Sequence, residues 1–489
     1  MSSRTKGIIA GLAVLLVLGI AAAIVLINKP PEDSAPAETT AAPAEVTSRL
    51  VYDIDPTKIM SILITNEKGF YEIARFDIEG QAVWSVEEYA SLPLDNNFII
   101  SVMNSAAKFT AARIVTDTPS DLSTYGLESP RAEIVTLFEG GVIKDLLIGN
   151  PSPMAGESYA MLKGENTLYT VTDTAIANLL EGKNSVISKN VYTPVQNPNP
   201  DPDIPETRIN KMTIDRTDLP YDIVIEYDKR KADPERIVSN QTDYIMTSPV
   251  RLDLDPARSK ATTDTVYSLV AAGVTEVFPD EAKLAEYGFD NPLGSVSIDI
   301  VAGPFGMTFG DEYTDETGKV VGRYGMVEGR DVIYTFTSDV LPWTTIKPLD
   351  ITSTIITANY IFDLSGVSIT GSGFDEQFTL SGTSDDDFKV THNGEAVTDT
   401  QAFKTFYQYL LRTPAEELYL EPTDAEPVLT VHIVGEDIDD KLEFITAEDR
   451  RTIIRFNDVV SFKCKTTFVD RLIDNIGLYN EGKPIITTW

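Results

Sequence analysis

Residues 125–130 read Tyr-Gly-Leu-Glu-Ser-Pro, and residues 287–292 read Tyr-Gly-Phe-Asp-Asn-Pro. A Leu stands three positions before each Tyr, Leu122 and Leu284. Glycine after the tyrosine suits a turn that needs positive φ, and the proline fixes an extended start for the strand that follows. The likeness continues downstream. Leu147-Ile148-Gly149 answers to Thr308-Phe309-Gly310, Tyr159 to Tyr324, and Leu168-Tyr169-Thr170-Val171 to Ile333-Tyr334-Thr335-Phe336. It also continues upstream, where Ile59-x-x-Ile62-x-Ile64 matches Ile209-x-x-Met212-x-Ile214 and, a third time, Leu364-x-x-Val367-x-Ile369. Self-similarity at such a period is the mark of repeated structural units. The third copy lacks the Tyr-Gly pair and is degenerate. The motif residues themselves read as structural.

Period-2 alternation over Ile134–Phe138, Val296–Ile300 and Leu429–Ile433 predicts half-buried antiparallel strands. Amphipathic stretches at Asn96–Ala107, Thr263–Ala272 and Thr400–Leu411 predict helices. The expected unit is three strands, a helix, the Tyr-Gly turn, two or three more strands and a short closing helix. Strand runs with segregated helices point to an α+β class with antiparallel sheets rather than a doubly wound parallel sheet. The units are expected at residues 49–193, 205–348 and 355–489, with a Pro-rich linker over 194–204 where alternating prolines block helix and sheet ladder alike.

The 489 residues hold 40 Lys and Arg against 75 Asp and Glu, a formal charge of −35. So acidic a surface repels phosphate backbones, which argues against a nucleic-acid partner. One Cys and two His rule out a disulfide framework and leave little for His-based zinc or acid–base chemistry. Arg4 and Lys6 precede an uncharged apolar run from Gly7 to Ile27, long enough at about 1.5 Å per residue to span a bilayer. The run continues past Ala21-Ala22-Ala23 into Ile24-Val25-Leu26-Ile27, which suits an uncleaved anchor better than a signal peptide. Residues 1–6 are then a cytoplasmic stub, 7–27 a single transmembrane helix and 28–48 a Pro/Ala-rich tether. The positive-inside bias puts the acidic body outside the cytoplasm, on the outer side of the cell membrane.

The L-x-x-Y-G-[LF]-x-x-P signature, the later [LF]-[IF]-G and the Tyr…[LI]-Tyr-x-[VF] strand resemble the domain-of-unknown-function 4340 family (DUF4340). The resemblance runs over residues 55–345 and more weakly over 355–489. It implies a single amino-terminal membrane helix followed by repeated extracytoplasmic domains, and an accessory role beside an uncharacterised ABC-type transport system. It implies no catalytic residues.

The residues with chemical potential favour bland readings. Gly366-Val367-Ser368-Ile369-Thr370 lacks the last glycine of a nucleophile elbow and sits in a strand. His392 falls in an Asn-Gly hairpin turn, and His432 on the strand face opposite Leu429, Val431 and Ile433. Lys463 and Lys465 flank Cys464 and could lower its pKa, but no His partner is near in sequence and a buried structural thiol is favoured. The acidic clusters Asp311-Glu312 with Asp315-Glu316, Asp385-Asp386-Asp387, and Glu436-Asp437 with Asp439-Asp440 lack the calcium-loop pattern and read as solvated turns. Trp84 and Trp343 read as core. No catalytic, cofactor-binding or metal residue and no cofactor is assigned. The expected function is a non-enzymatic accessory or binding subunit whose partners are the membrane, through residues 7–27, and ABC transporter subunits; its ligand is unassigned. The alternatives are a cell-envelope hydrolase with an unpaired set of acids, and a surface spacer without a specific ligand.

Overall fold

The Ile-x-x-Ile-x-Ile spacing is a strand alternation with one residue inserted. In the computed structural model, strands Ile59–Asn66, Ile209–Arg216 and Leu364–Gly371 each carry a register shift after their first residue, between Ile59 and Ser61, Ile209 and Lys211, and Leu364 and Gly366. The bulge lets the first apolar residue and those three and five positions later face the same core, and all nine are buried. The structure describes residues 48–78, 80–195, 197–232 and 240–489. The expected stub, membrane helix and all but the last residue of the 28–48 tether lie outside the described residues. Among the described residues no helix is long and apolar enough to cross a membrane.

Each bulged strand is central in a sheet, and every pairing in these sheets is antiparallel. The second sheet takes nine strands: Ile209–Arg216, Ile223–Tyr227, Tyr244–Ser248, Leu252–Asp253, Gly273–Val277, Gly294–Ile300, Phe305–Thr314, Val320–Val327 and Val332–Thr337. Numbered in chain order, they lie side by side as 4-3-2-1-6-7-8-9-5. The third sheet, from Leu364–Gly371 to Val459–Lys465, has nine strands in the same order. The first, from Ile59–Asn66 to Leu168–Thr172, has eight in that order and lacks the fourth. A small pair, Arg49–Asp53 with Lys108–Ala111, stands beside it. The fold is therefore strand-rich α+β with antiparallel sheets.

Two details differ from the sequence reading. Four strands, not two or three, follow the Tyr-Gly turn. A fifth strand, Arg113–Thr116, Gly273–Val277 or Glu417–Leu418, precedes it and closes the far edge by pairing with the ninth. At four, five and two residues, Arg113–Thr116, Gly273–Val277 and Glu417–Leu418 carry no apolar–polar alternation to announce them.

Helices Asn96–Ala107 and Thr400–Leu410 form where expected. Asp95 and Asp399 cap them by accepting from the N–H groups of Phe98 (3.0 Å) and Gln401 (3.1 Å). Their inner faces bury Ile99, Val102, Ala106 and Ala107 in the first, and Phe403, Phe406, Tyr407, Tyr409 and Leu410 in the second. Each large side chain so buried contributes about 1.5–3 kcal/mol. The expected Thr263–Ala272 helix is instead one turn over Lys260–Asp264 that tightens to a 3-10 turn over Thr265–Ser268. Thr262, Thr263, Thr265 and Val266 are β-branched and hold little helix propensity, and Ser259 supplies no side-chain cap. Trp343 fills the space there, wholly buried, with its indole N–H donating to Thr262 O at 2.9 Å.

Candidate functional site

The Tyr-Gly motif resolves into a turn clamped from behind. Gly126 (φ 68°) and Gly288 (φ 79°) end short helical turns in the left-handed region. Leu127 N–H donates to Leu122 O (3.0 Å) and Gly126 N–H to Ser123 O (3.0 Å); Phe289 N–H donates to Leu284 O (2.8 Å) and Gly288 N–H to Ala285 O (3.2 Å). This 6→1 and 5→2 pair is a Schellman cap, which explains both the Leu three residues before the Tyr and the apolar residue after the Gly. The later glycines press on the same turn: a Cβ on Gly149 would overlap Tyr125 O, and one on Gly310 would overlap Tyr287 O. In the second sheet Asp311 N–H donates to Tyr287 O at 2.9 Å. The motif tyrosines meet the matching later ones, with Tyr125 4.9 Å from Tyr159 and Tyr287 4.7 Å from Tyr324. The signature thus holds a turn against a strand.

His392 is more than an edge histidine. The Asn393-Gly394 turn forms with positive φ at both residues, and it carries the imidazole Nε2 to 2.6 Å from Glu376 Oε2. Asn393 donates to the same oxygen (3.0 Å) and Asn480 to Glu376 Oε1 (2.6 Å). Burial of Glu376 opposes its ionisation, but donors from Asn480, His392 and Asn393 outweigh it and hold the carboxyl below its usual range. The His392 ring lies flat on Phe378, centroids 4.6 Å apart, and Tyr479 meets it edge-on at 5.4 Å. With both carboxylate oxygens engaged, the group acts as a tie between hairpin and final helix. Beyond Tyr479 opens a cavity of about 660 Å³ lined in part by Asp399, Gln401, Thr405 and Lys483.

The other sequence candidates separate. His432 bonds Asp439 at the surface. Cys464 is fully buried, and burial pushes its thiol up to about 12, opposite to the lowering that its flanking lysines suggested. Lys463 and Lys465 alternate onto the other face of that strand, away from the buried thiol. Ser368 sits mid-strand between Gln377 and His432. Asp315 and Asp387 accept backbone N–H groups of their own turns. Asp440 departs from the expectation of a solvated turn: it is buried and accepts from Thr357 (3.0 Å), Asn359 (2.7 Å) and Asn457 (3.1 Å), while Arg251, between the third and fourth strands of the second sheet, approaches to 3.8 Å. No group of three or more His, Cys, Asp or Glu able to hold a metal occurs among the described residues.

A second open groove was not foreseen, because its residues share no motif. It lies on the first sheet, about 550 Å³, between Thr57, Met60, Arg75 and Trp84 below and Ile100 and Met103 of the Asn96–Ala107 helix above. Trp84, expected in the core, is only half-buried and forms its floor beside Arg75, its partner across the strands. Met60, the bulge residue, and Ile100 are 52% and 54% exposed, large apolar side chains left to water. Neither Arg75 nor Glu139 at the rim has an ion pair among the described residues. The paired Trp and Met signal was present in the sequence, but the bulge that brings them together was not.

In comparison with known proteins, residues 84–292 match the profile of the domain of unknown function DUF4340. The family matched is the one the signature resembles. It starts in the third strand of the first sheet, takes in both Tyr-Gly motifs and stops just before the sixth strand of the second. No match was found among curated proteins or among solved structures.

Proposed function

We propose that this chain, with its DUF4340 stretch as premise, is a membrane-tethered extracytoplasmic binding subunit that serves an ABC-type transport system. The three sheets of one strand order are read as three copies of one unit, at 49–193, 205–348 and 355–489. The carrying observation is that the copies share a backbone plan but not a surface. The first leaves an apolar groove open at Trp84, while the third buries the equivalent strand positions, Leu380 and Val390. Such divergence on a common scaffold suits recognition. The carboxylate–imidazole pair engaged as a structural tie supports binding rather than turnover. The charge-flanked apolar run Gly7–Ile27 and the acidic body support the tethered, outward-facing placement.

The test is affinity purification of the full chain from solubilised membranes, with identification of what comes with it. Transporter subunits recovered at a reproducible ratio are the expected result; repeated recovery of none overturns the assignment. Protease accessibility on intact cells tests the placement separately, and protection of the body on the cytoplasmic side would reverse it.

A further inference from the structure

We infer that the groove on the first sheet takes a polypeptide segment presenting an aromatic side chain next to a carboxylate. The inference rests on the reading of the chain as a binding subunit and names the chemistry of one partner. It comes from what the third sheet puts in the same place.

The sheets align residue by residue through their bulges. Thr57 stands two positions before Ile59 as Phe362 stands two before Leu364, and both belong to 3-10 turns, Pro56–Lys58 and Ile361–Asp363. Ile100 and Met103 follow the cap Asp95 by five and eight residues, as Lys404 and Tyr407 follow Asp399. In the third sheet these positions close on one another. Lys404 Nζ lies 5.6 Å from the Phe362 ring and 5.0 Å from the Phe388 ring, the two rings meet edge-on at 5.4 Å, and Tyr407 donates to Asn359 O at 2.9 Å. In the second sheet Arg208 covers the Tyr227 ring at 4.8 Å, and Tyr227 pairs with Tyr244 at the positions of Arg75 and Trp84. The first sheet has Thr57 where the third has a phenylalanine, so an aromatic ring is missing from a place whose walls remain apolar. The open space is faced by Trp84, Met60, Ile100 and Met103, side chains that favour aromatic contact.

Charge selects the rest. Arg75 lies in the floor with no ion pair among the described residues, and a guanidinium there pairs bidentately with a carboxylate next to the inserted ring. Glu139 at the rim disfavours a polyanion. A short segment with one aromatic and one acid fits both.

The chain contains such a segment in the filled copy, Asn359-Tyr360-Ile361-Phe362-Asp363. As an amidated, fluorescein-labelled peptide, this sequence is the probe for the full chain in lipid nanodiscs, read by anisotropy. Saturable binding is expected, weakened about tenfold or more when the peptide phenylalanine becomes alanine, as for a central anchor. Thr57→Phe should abolish binding by plugging the groove from within, with an unchanged far-UV spectrum. Arg75→Glu should weaken it and remove its salt dependence. Thr57→Phe binding as well as the parent overturns the inference, as does equal binding of the alanine peptide or displacement of the probe by a dodecyl amphiphile alone. Transporter recovery from membranes that persists while the peptide fails would sink this inference and leave the proposed function standing.

Discussion

Replacing Gly288 by alanine tests whether the Tyr-Gly signature is kept for packing. Three glycines of the second sheet separate the effects. Gly329 has φ +76° with nothing within 4 Å of an added Cβ, so Gly329→Ala meets backbone strain alone. That strain is about 1–2 kcal/mol, offset by roughly 0.4–1 kcal/mol from a stiffer unfolded chain, for a net loss of roughly 0–1.6 kcal/mol, centred on about 1 kcal/mol. Gly288 has φ +79°, and its Cβ would sit 2.8 Å from the backbone nitrogen of Asp311, which cannot swing aside. Overpacking there adds about 1–3 kcal/mol, so Gly288→Ala should cost about 2–4 kcal/mol. Gly310→Ala has no positive φ to strain, but its Cβ overlaps Tyr287 O, the acceptor of the Asp311 N–H. It should cost a similar amount. The two contacts share one turn, so the double variant should fall short of the sum by about 0.5–3 kcal/mol. Urea unfolding of the full chain, followed by far-UV circular dichroism, measures all four. If Gly288→Ala is no worse than Gly329→Ala, the clamp is not what the motif is for.

Other consequences are as direct. Trp343→Ala should cost about 3–5 kcal/mol and Trp343→Phe less, since the indole is wholly buried and its N–H is satisfied by Thr262; thermal melts rank the pair. Glu376 has a folded pKa held below its unfolded value, so its contribution is present above an unfolded pKa of about 4.3 and is lost as pH falls through the folded one. The stability gap between parent and Glu376→Gln should therefore be lost once the pH falls through the range where the folded carboxyl protonates, and a gap that persists undiminished below that range would contradict the tie. Cys464, with its thiol pushed up to about 12, should resist iodoacetamide at pH 8 in the folded chain and react once urea exposes it, as intact mass will show.

What could be read ahead of the structure followed from local physics. Buried alternation located the central strands, and apolar periods over Asn96–Ala107 and Thr400–Leu411 located two helices. The Asn393-Gly394 turn was legible because few residues adopt positive φ. The second helix was misread because threonines mimic an amphipathic period without the propensity to support it. The edge-closing strands were missed because their two to five residues do not alternate. The groove depends on an absence, a threonine where the third sheet has phenylalanine, which becomes visible only when the sheets are set in register. Asp440 read as part of a solvated turn, and nothing in the sequence singled out Glu376. Their partners lie far off in the chain, Asn480 and Thr357, and no spacing rule links them.

The strand order also dictates how each sheet must assemble. Strands one to three form a local meander of hairpins, and strands six to nine form another, so each can arise from neighbours in the chain. The seam between them cannot. It pairs Ile62 with Thr136, Met212 with Ile298 and Val367 with Ile433, so each meander has to be held in register until a partner made much later arrives. Closing so long a loop is entropically slow. Until it happens, the bulged strand is a bare, apolar edge facing whatever else is nearby. Chains emerging one end at a time would expose three such edges in succession, and each sheet's seam is the point at which a folding helper would have the most to protect.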